Sequence, residues 1–412
     1  MKILMVSWEY PPVVIGGLGR HVHHLATELA DAGHEVVVLS RRPTGTDPST
    51  HPTTDEVVEG VRVVAAAQDP HEFTFGTDMM AWTLAMGHSM LRAGLSIRVR
   101  GRTWRPDIVH AHDWLVAHPA IALAEFHDVP LVSTIHATEA GRHSGWVSGP
   151  ISEQVHAVES WLVRDSDSLI TCSASMSDEI VELFGPGLSE VRVIRNGIDT
   201  AGWPFAPRTP RNGPAELLFV GRLEYEKGVH DLIAAMPRIR RTHPGTTLTV
   251  AGEGTQQDWL VEQARKHKVL KAIEFVGHRD HAGLLALMHR ASAVVLPSHY
   301  EPFGIVALEA AAAGAPLVTS DVGGLGEAVI NGLTGLSCPP RDVAALTRAV
   351  RTALDDPAAT QDHAVAARDR LTSDFSWQTV ASETAQVYLA AKRRERDPHA
   401  RRAVVQRPLP GR

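Results

Sequence analysis

The residues of this 412-residue chain best placed to do chemistry gather first in the stretch Leu296 to Glu309, LPSHYEPFGIVALE. Two carboxylates, Glu301 and Glu309, stand eight positions apart, one on a polar loop and one in an alanine- and leucine-rich run that reads as helix. The apolar run Ala293–Leu296 ahead of them reads as a buried parallel strand. The helix begins near Gly304, so its unpaired N–H groups and positive dipole end face the space beyond that strand. A phosphate suits such a place, and a loop carboxylate beside it suits a neutral polyol. Solvated carboxylates and a simple glycine turn would account for this stretch equally well.

A second loop, Gly221-Arg222-Leu223-Glu224-Tyr225-Glu226-Lys227-Gly228, carries two cations, Arg222 and Lys227. A diphosphate calls for a bidentate Arg or a Lys point charge. The bland alternative pairs both cations with Glu224 and Glu226 on the surface. His136 ends the apolar strand Leu131–His136, and strand ends of this kind are where parallel sheets hold ligands. His110 and His112 point the same way along another strand and adjoin Asp113, but no further ligand has metal-site spacing. Asp165-Ser166-Asp167 matches a D-x-D metal motif only superficially. Lying between a helix and a buried strand, its carboxylates are expected to cap or solvate the turn.

The elements that must position these groups read as two α/β series. In the first, the strand Lys2–Ser7, the loop Gly16-Gly17-Leu18-Gly19, the helix Arg20–Ala32 and the strand Glu35–Leu39 make half of a nucleotide-binding unit. Its glycine pattern is not that of a dinucleotide site, because Val22 stands where the third glycine belongs. Residues 43–60 read as an exposed loop, Arg98–Arg105 as a solvated basic helix end, and 136–147 as a polar loop long enough to suggest function. Asn196-Gly197-Ile198-Asp199 closes the first series, and a linker with Pro204, Pro207, Pro210 and Pro214 follows. The second series includes Gly323–Glu327 as a glycine loop before a helix at 328–330. The boundaries expected are 1–204, 213–376, a helix at 377–392 and a disordered basic tail at 393–412.

Composition excludes several classes. With 44% hydrophobic and 21% charged residues the chain reads as a globular protein of two domains. A net charge of −7 gives no general argument for nucleic acid or an anionic membrane. Cys172 and Cys338 are the only cysteines, which fits a reducing compartment. No stretch approaches the roughly 20 apolar residues of a membrane span, and Met1–Val6 is too short for a signal peptide. The expected location is cytoplasmic.

The ordered set G-G-L (Gly16, Gly17, Leu18), T-I-H (His136), G-R-L-x-x-x-K-G (Arg222, Lys227, Gly228) and E-x-F-G…E (Glu301, Gly304, Glu309) resembles family 4 glycosyltransferases of the glycogen-synthase-like group. The segments at 110–114, 196–199 and 323–325 resemble that family too. Within it the likeness is nearest to bacterial α-1,4-glucosyltransferases of glycogen or methylglucose polysaccharide synthesis. The resemblance implies a GT-B fold, with two Rossmann-like doubly wound domains facing across a cleft. It implies a retaining transfer of glucose from UDP- or ADP-glucose to the non-reducing end of an α-glucan, with no cofactor and no metal. Carried over by that likeness, Arg222 and Lys227 hold the donor diphosphate, Glu301 the sugar hydroxyls and Glu309 the ribose. His136 faces the sugar, and Gly16, Gly17, Gly304, Ile305 and Val306 contact phosphate or sugar. Asp113 and Asn196 fall on the acceptor side. One departure is Val14, where ADP-glucose-type synthases carry Lys. A mannosyl- or other hexosyltransferase with a lipid or small-molecule acceptor, a nucleotide-sugar 2-epimerase and a non-catalytic sugar-binding module remain alternatives.

Overall fold

A computed structural model describes residues 1–13, 16–43, 49–68, 73–185, 188, 190–206 and 213–395. Val14, Pro207, Pro210 and most of the basic tail lie outside these. The chain divides into two compact units. Unit 1 is Met1–Cys172, Ser177–Arg195 and the segment from Trp377; unit 2 is Ser173–Met176 and Asn196–Ser376. Asn196 thus belongs with the second unit, before the boundary of 204 expected from the prolines. The cause is local: Ile198 N–H donates to the Phe375 carbonyl at 2.9 Å within unit 2.

Unit 1 is built on strands β1 (Lys2–Ser7), β2 (Glu35–Arg41), β3 (Thr54–Val58), β4 (Val61–Ala66), the small hairpin β5 (Arg98–Val99) and β6 (Arg102–Thr103), β7 (Ile108–His112), β8 (Leu131–Ile135), β9 (Ser168–Thr171) and β10 (Val191–Val193). Eight of them form one sheet in the order β10-β9-β8-β7-β1-β2-β4-β3, parallel except for β3 against β4. The buried valine-, isoleucine- and leucine-rich central strands are what a sheet covered on both faces requires. Two expectations fail here. The 43–60 segment contains β3, whose mostly exposed T-D-E-V-V sequence is that of an edge strand. The basic stretch is the β5–β6 hairpin, turned by Arg100 and Gly101 at φ 50° and 77°, and not a helix end.

The last helix, Trp377–Glu395, belongs to unit 1. Val380, Val387 and Tyr388 join the core formed by Ile3, Met5, Leu25 and Leu29. The Tyr388 hydroxyl lies 2.7 Å from His110 Nδ1, and Lys392 Nζ lies 2.7 Å from Asp107.

Unit 2 holds β11 (Glu216–Val220), β12 (Thr247–Ala251), β13 (Ile273–Gly277), β14 (Ala293–Leu296), β15 (Leu317–Ser320) and β16 (Leu336–Cys338). They form a wholly parallel sheet in the order β13-β12-β11-β14-β15-β16. Strand order reverses beside β1 in unit 1 and beside β11 in unit 2. In doubly wound sheets ligands sit at such reversals, outside the carboxyl ends of the strands.

Residues 323–328 form a short helix, where a glycine loop before a helix at 328–330 was expected. Glycine serves close approach there. A Cβ on Gly323 would run into the Glu301 carbonyl, and one on Gly324 into the Phe303 backbone.

Candidate active site

In unit 2 the reversal places two loops side by side, one leaving β11 and the other leaving β14. His299 and Tyr300 donate their backbone N–H groups to the Glu226 carbonyl at 2.7 and 3.3 Å, which ties the loops together. Gly228, at φ 66°, caps the helix Val229–Thr242, and a side chain there would collide with the Pro297 carbonyl. The result is a short ion pair from Lys227 Nζ to Glu301 Oε2, 2.8 Å long and largely shielded from water. Ser298 Oγ donates to the same carboxylate oxygen at 3.3 Å. Arg222 is more open and meets Glu226 at 3.4 Å. The surface pairing weighed from the sequence therefore holds for Arg222, whereas Lys227 turns to Glu301.

Beside this pair begins the helix Ile305–Ala313, capped by Gly304 at φ 90°. A Cβ on Gly304 would come within 2.6 Å of the tip of the Leu325 side chain, and the φ of 90° itself favours glycine. The first-turn N–H groups at Ile305 and Val306 are the kind that a phosphate oxygen satisfies. Glu309 lies within the same helix and is buried.

Unit 1 presents a different chemistry. Gly16 caps the helix Gly17–Asp31, and its N–H donates to Glu9 Oε2 at 3.0 Å. His136 follows β8, with its Nε2 3.2 Å from His112 Nδ1 at the end of β7. Its backbone N–H donates to Asp113 Oδ1 at 2.7 Å. Asp113 holds φ 63°, ψ 172°, a conformation an L side chain rarely adopts, and its carboxylate is committed to supporting the His136 loop.

Burial sets the protonation of this cluster. It pushes His136 down to about 3, although part of its surface stays open. His110 and His112 are likewise pushed well below the ordinary histidine range, first by burial and then by neighbouring imidazoles. Burial raises Asp113 to about 6 against the His136 hydrogen bond, and raises Glu159 to about 8 against one from the Glu139 N–H. The imidazoles are thus neutral at neutral pH.

The D-x-D carboxylates have ordinary local work. Asp165 accepts from Trp161 Nε1 and Asp167 from the Leu131 N–H, at 2.7 and 2.8 Å. Asn196 is buried near the start of unit 2.

Comparison with known proteins agrees with this geometry. The family model described as Glycosyltransferase Family 4 matches residues 15–201, and that described as Glycosyl transferases group 1 matches 205–370. The chain is 79% identical, over the whole of both chains, to a glycogen synthase of Mycobacterium tuberculosis. It belongs to the glycogen-synthase-like glycosyltransferases of family 4. A D-inositol 3-phosphate glycosyltransferase of Kineococcus radiotolerans is 32% identical over 91% of each chain. The sucrose-phosphate synthase of Thermosynechococcus elongatus superposes with a TM-score of 0.79 at 25% identity, covering 94% of this chain and 98% of that one. Its neighbours share the GT-B fold of two Rossmann-like domains, as expected from the motifs.

Two residues of this family 4 enzyme escaped the sequence reading. His21 lies in the helix Gly17–Asp31, its ring 4.8 Å from that of His136 and 5.6 Å from that of His112. Glu159 lies on the buried stripe Ser152, Val155, Glu159, Leu162 of the helix Pro150–Asp165. A charged residue on an apolar stripe was the available signal for Glu159. For His21 the signal was weaker, a polar residue beside Val22 and Leu25 on a buried helix face.

Proposed function

We propose that this enzyme is a retaining α-1,4-glucosyltransferase that moves glucose from UDP- or ADP-glucose to the non-reducing end of an α-glucan. The observation that carries this reading is the Lys227–Glu301 pair beside the helix capped by Gly304, at the strand reversal of unit 2. It stands in a chain that matches a glycogen synthase from end to end. Lys227 and Arg222 neutralise the departing diphosphate, and the first-turn N–H groups at Ile305 and Val306 share that load. Glu301 accepts from sugar hydroxyls and Glu309 from the ribose. His136 serves the donor sugar as a neutral hydrogen-bonding group.

The C1–O bond to the diphosphate breaks as the acceptor O4 bonds to C1 on the same face. The proton of O4 passes to a diphosphate oxygen, which releases the nucleoside diphosphate. The protein's own cations do the electrostatic work, so the reaction proceeds without a metal or other cofactor. Both cysteines are buried and neither forms a disulfide, which accords with a cytoplasmic location. No described helix is long and apolar enough to cross a membrane.

The test is release of UDP or ADP from the two glucose donors, with and without a maltooligosaccharide and with EDTA throughout. Acceptor-dependent release that survives EDTA is expected and identifies the donor. The likeness to the inositol-phosphate enzyme favours one second reading, a phosphorylated polyol acceptor. Release with inositol phosphate and none with the oligosaccharide would replace the first reading with that one.

A further inference from the structure

Three imidazoles of unit 1, those of His21, His112 and His136, each offer a ring nitrogen, and the three nitrogens lie within 4.8 Å of one another. They come from three different elements: the helix Gly17–Asp31, the end of β7 and the residue after β8. Neighbouring strands β7 and β8 pair Ala111 with Ser133 and His112 with Thr134, which fixes the separation of two of the three. His21 and His112 are buried, while His136 is partly exposed.

The spacing suits ligands as well as the hydrogen bond it now makes. Zinc holds imidazole nitrogens about 2.05 Å away in a tetrahedron, which places any two of them about 3.3 Å apart. His112 Nδ1 and His136 Nε2 are 3.2 Å apart. The His21 nitrogen lies within 4.8 Å of the other two, so a tetrahedral set requires it to move inward. A set of nitrogens without a carboxylate selects zinc, cobalt, nickel or copper over magnesium and calcium.

We propose that His21, His112 and His136 form a binding site for a single first-row transition-metal ion, and that its occupancy inhibits glucosyl transfer. Inhibition follows because an ion held on the His136 ring puts positive charge on a group that serves the donor sugar as a neutral hydrogen-bonding partner. That half rests on the transferase reading above; the binding half does not. The same enzyme then needs no magnesium for transfer and is shut by zinc.

A second group, His230, Asp231 and His299 in unit 2, also converges. There Asp231 already accepts His299 Nε2 at 2.7 Å, and Tyr225 stacks on His230 with centroids 4.8 Å apart. That group reads as a closed brace for the loop carrying Glu301, and it serves as the control.

The experiment titrates cobalt(II) into the untagged, chelator-treated full chain and follows the visible d–d absorption. Expected is one equivalent bound with the intense band of a tetrahedral site, displaced by zinc. His21→Phe keeps an aromatic ring in place and is expected to weaken binding at least about 100-fold. The transferase activity that remains in it is expected to be insensitive to zinc. His21→Gln is the second variant should the first fail to fold, and His299→Gln should leave the spectrum unchanged. No stoichiometric band in the wild type would overturn the proposal. So would a band that survives both His21 variants but disappears in His299→Gln. Cobalt bound at the trio with transfer unimpaired would overturn the inhibitory half. The band forms without substrate, so a wild type that transfers no glucose fails the functional reading and leaves the site testable.

Discussion

The two units solve the same topological problem with opposite electrostatics. At the strand reversal of unit 2, oppositely charged side chains face each other, with Lys227 on Glu301 and Arg222 on Glu226. At the corresponding edge of unit 1 the groups are imidazoles and carboxyls that burial drives towards neutrality. On the proposed function the difference is a division of labour. A diphosphate carries charge before and after transfer and needs fixed cations, whereas a neutral sugar needs hydrogen bonds without competing charge.

The sharpest way to break this comparison is Lys227→Ala. It removes the shielded cation and leaves Glu301 without its ion-pair partner. We expect kcat/KM to fall about 1,000-fold in the nucleotide-release assay. A loss below tenfold would mean that charge in unit 2 is not what drives departure of the diphosphate. His136→Ala should cost less, about 100-fold in kcat, because a neutral hydrogen bond is worth less than a charged one. Its Tm should change little, since the ring is partly open. If its loss exceeded that of Lys227→Ala, the proposed ranking of the two units would reverse.

The smallest effect concerns stability. Glu159 has a folded pKa of about 8, above its ordinary value near 4.5. Its contribution to stability is therefore fully present below the ordinary value and is lost as pH rises through about 8. Asp113 acts in the same sense over the lower window ending near 6. His136 acts in the opposite sense: its contribution is present above 6.5 and lost as pH falls through about 3. Glu159→Gln should raise Tm by several degrees at pH 9 and leave it unchanged near pH 4 in calorimetry. Equal Tm at both values would show that Glu159 is not buried in the sense described.

Most of the parallel strands were legible because buried runs such as EVVVLS and AVVL suit only a covered sheet. The cation loop was legible too, since Arg222 and Lys227 lie close in sequence. The partner of Lys227 was not, because Glu301 is 74 positions away and only the tie between two loops reveals it. The same limit hid the His21 contribution: helix periodicity gives the face, but not which imidazoles meet across elements. The edge strand β3 escaped because its polar T-D-E-V-V sequence has no buried face to betray it. The glycines at 323 and 324 misled for a related reason, since their cause lies in the distant backbone at 301–303.

The return of the last helix to unit 1 has a consequence for synthesis. Unit 2 is in effect an insertion, and residues 377–395 leave the ribosome only after all of it. Until then Ile3, Met5, Leu25 and Leu29 lack Val380, Val387 and Tyr388 in their core, and His110 lacks its tyrosine partner. The first-made half of the enzyme is therefore finished last, and the nascent chain must shelter an apolar face while its second half folds.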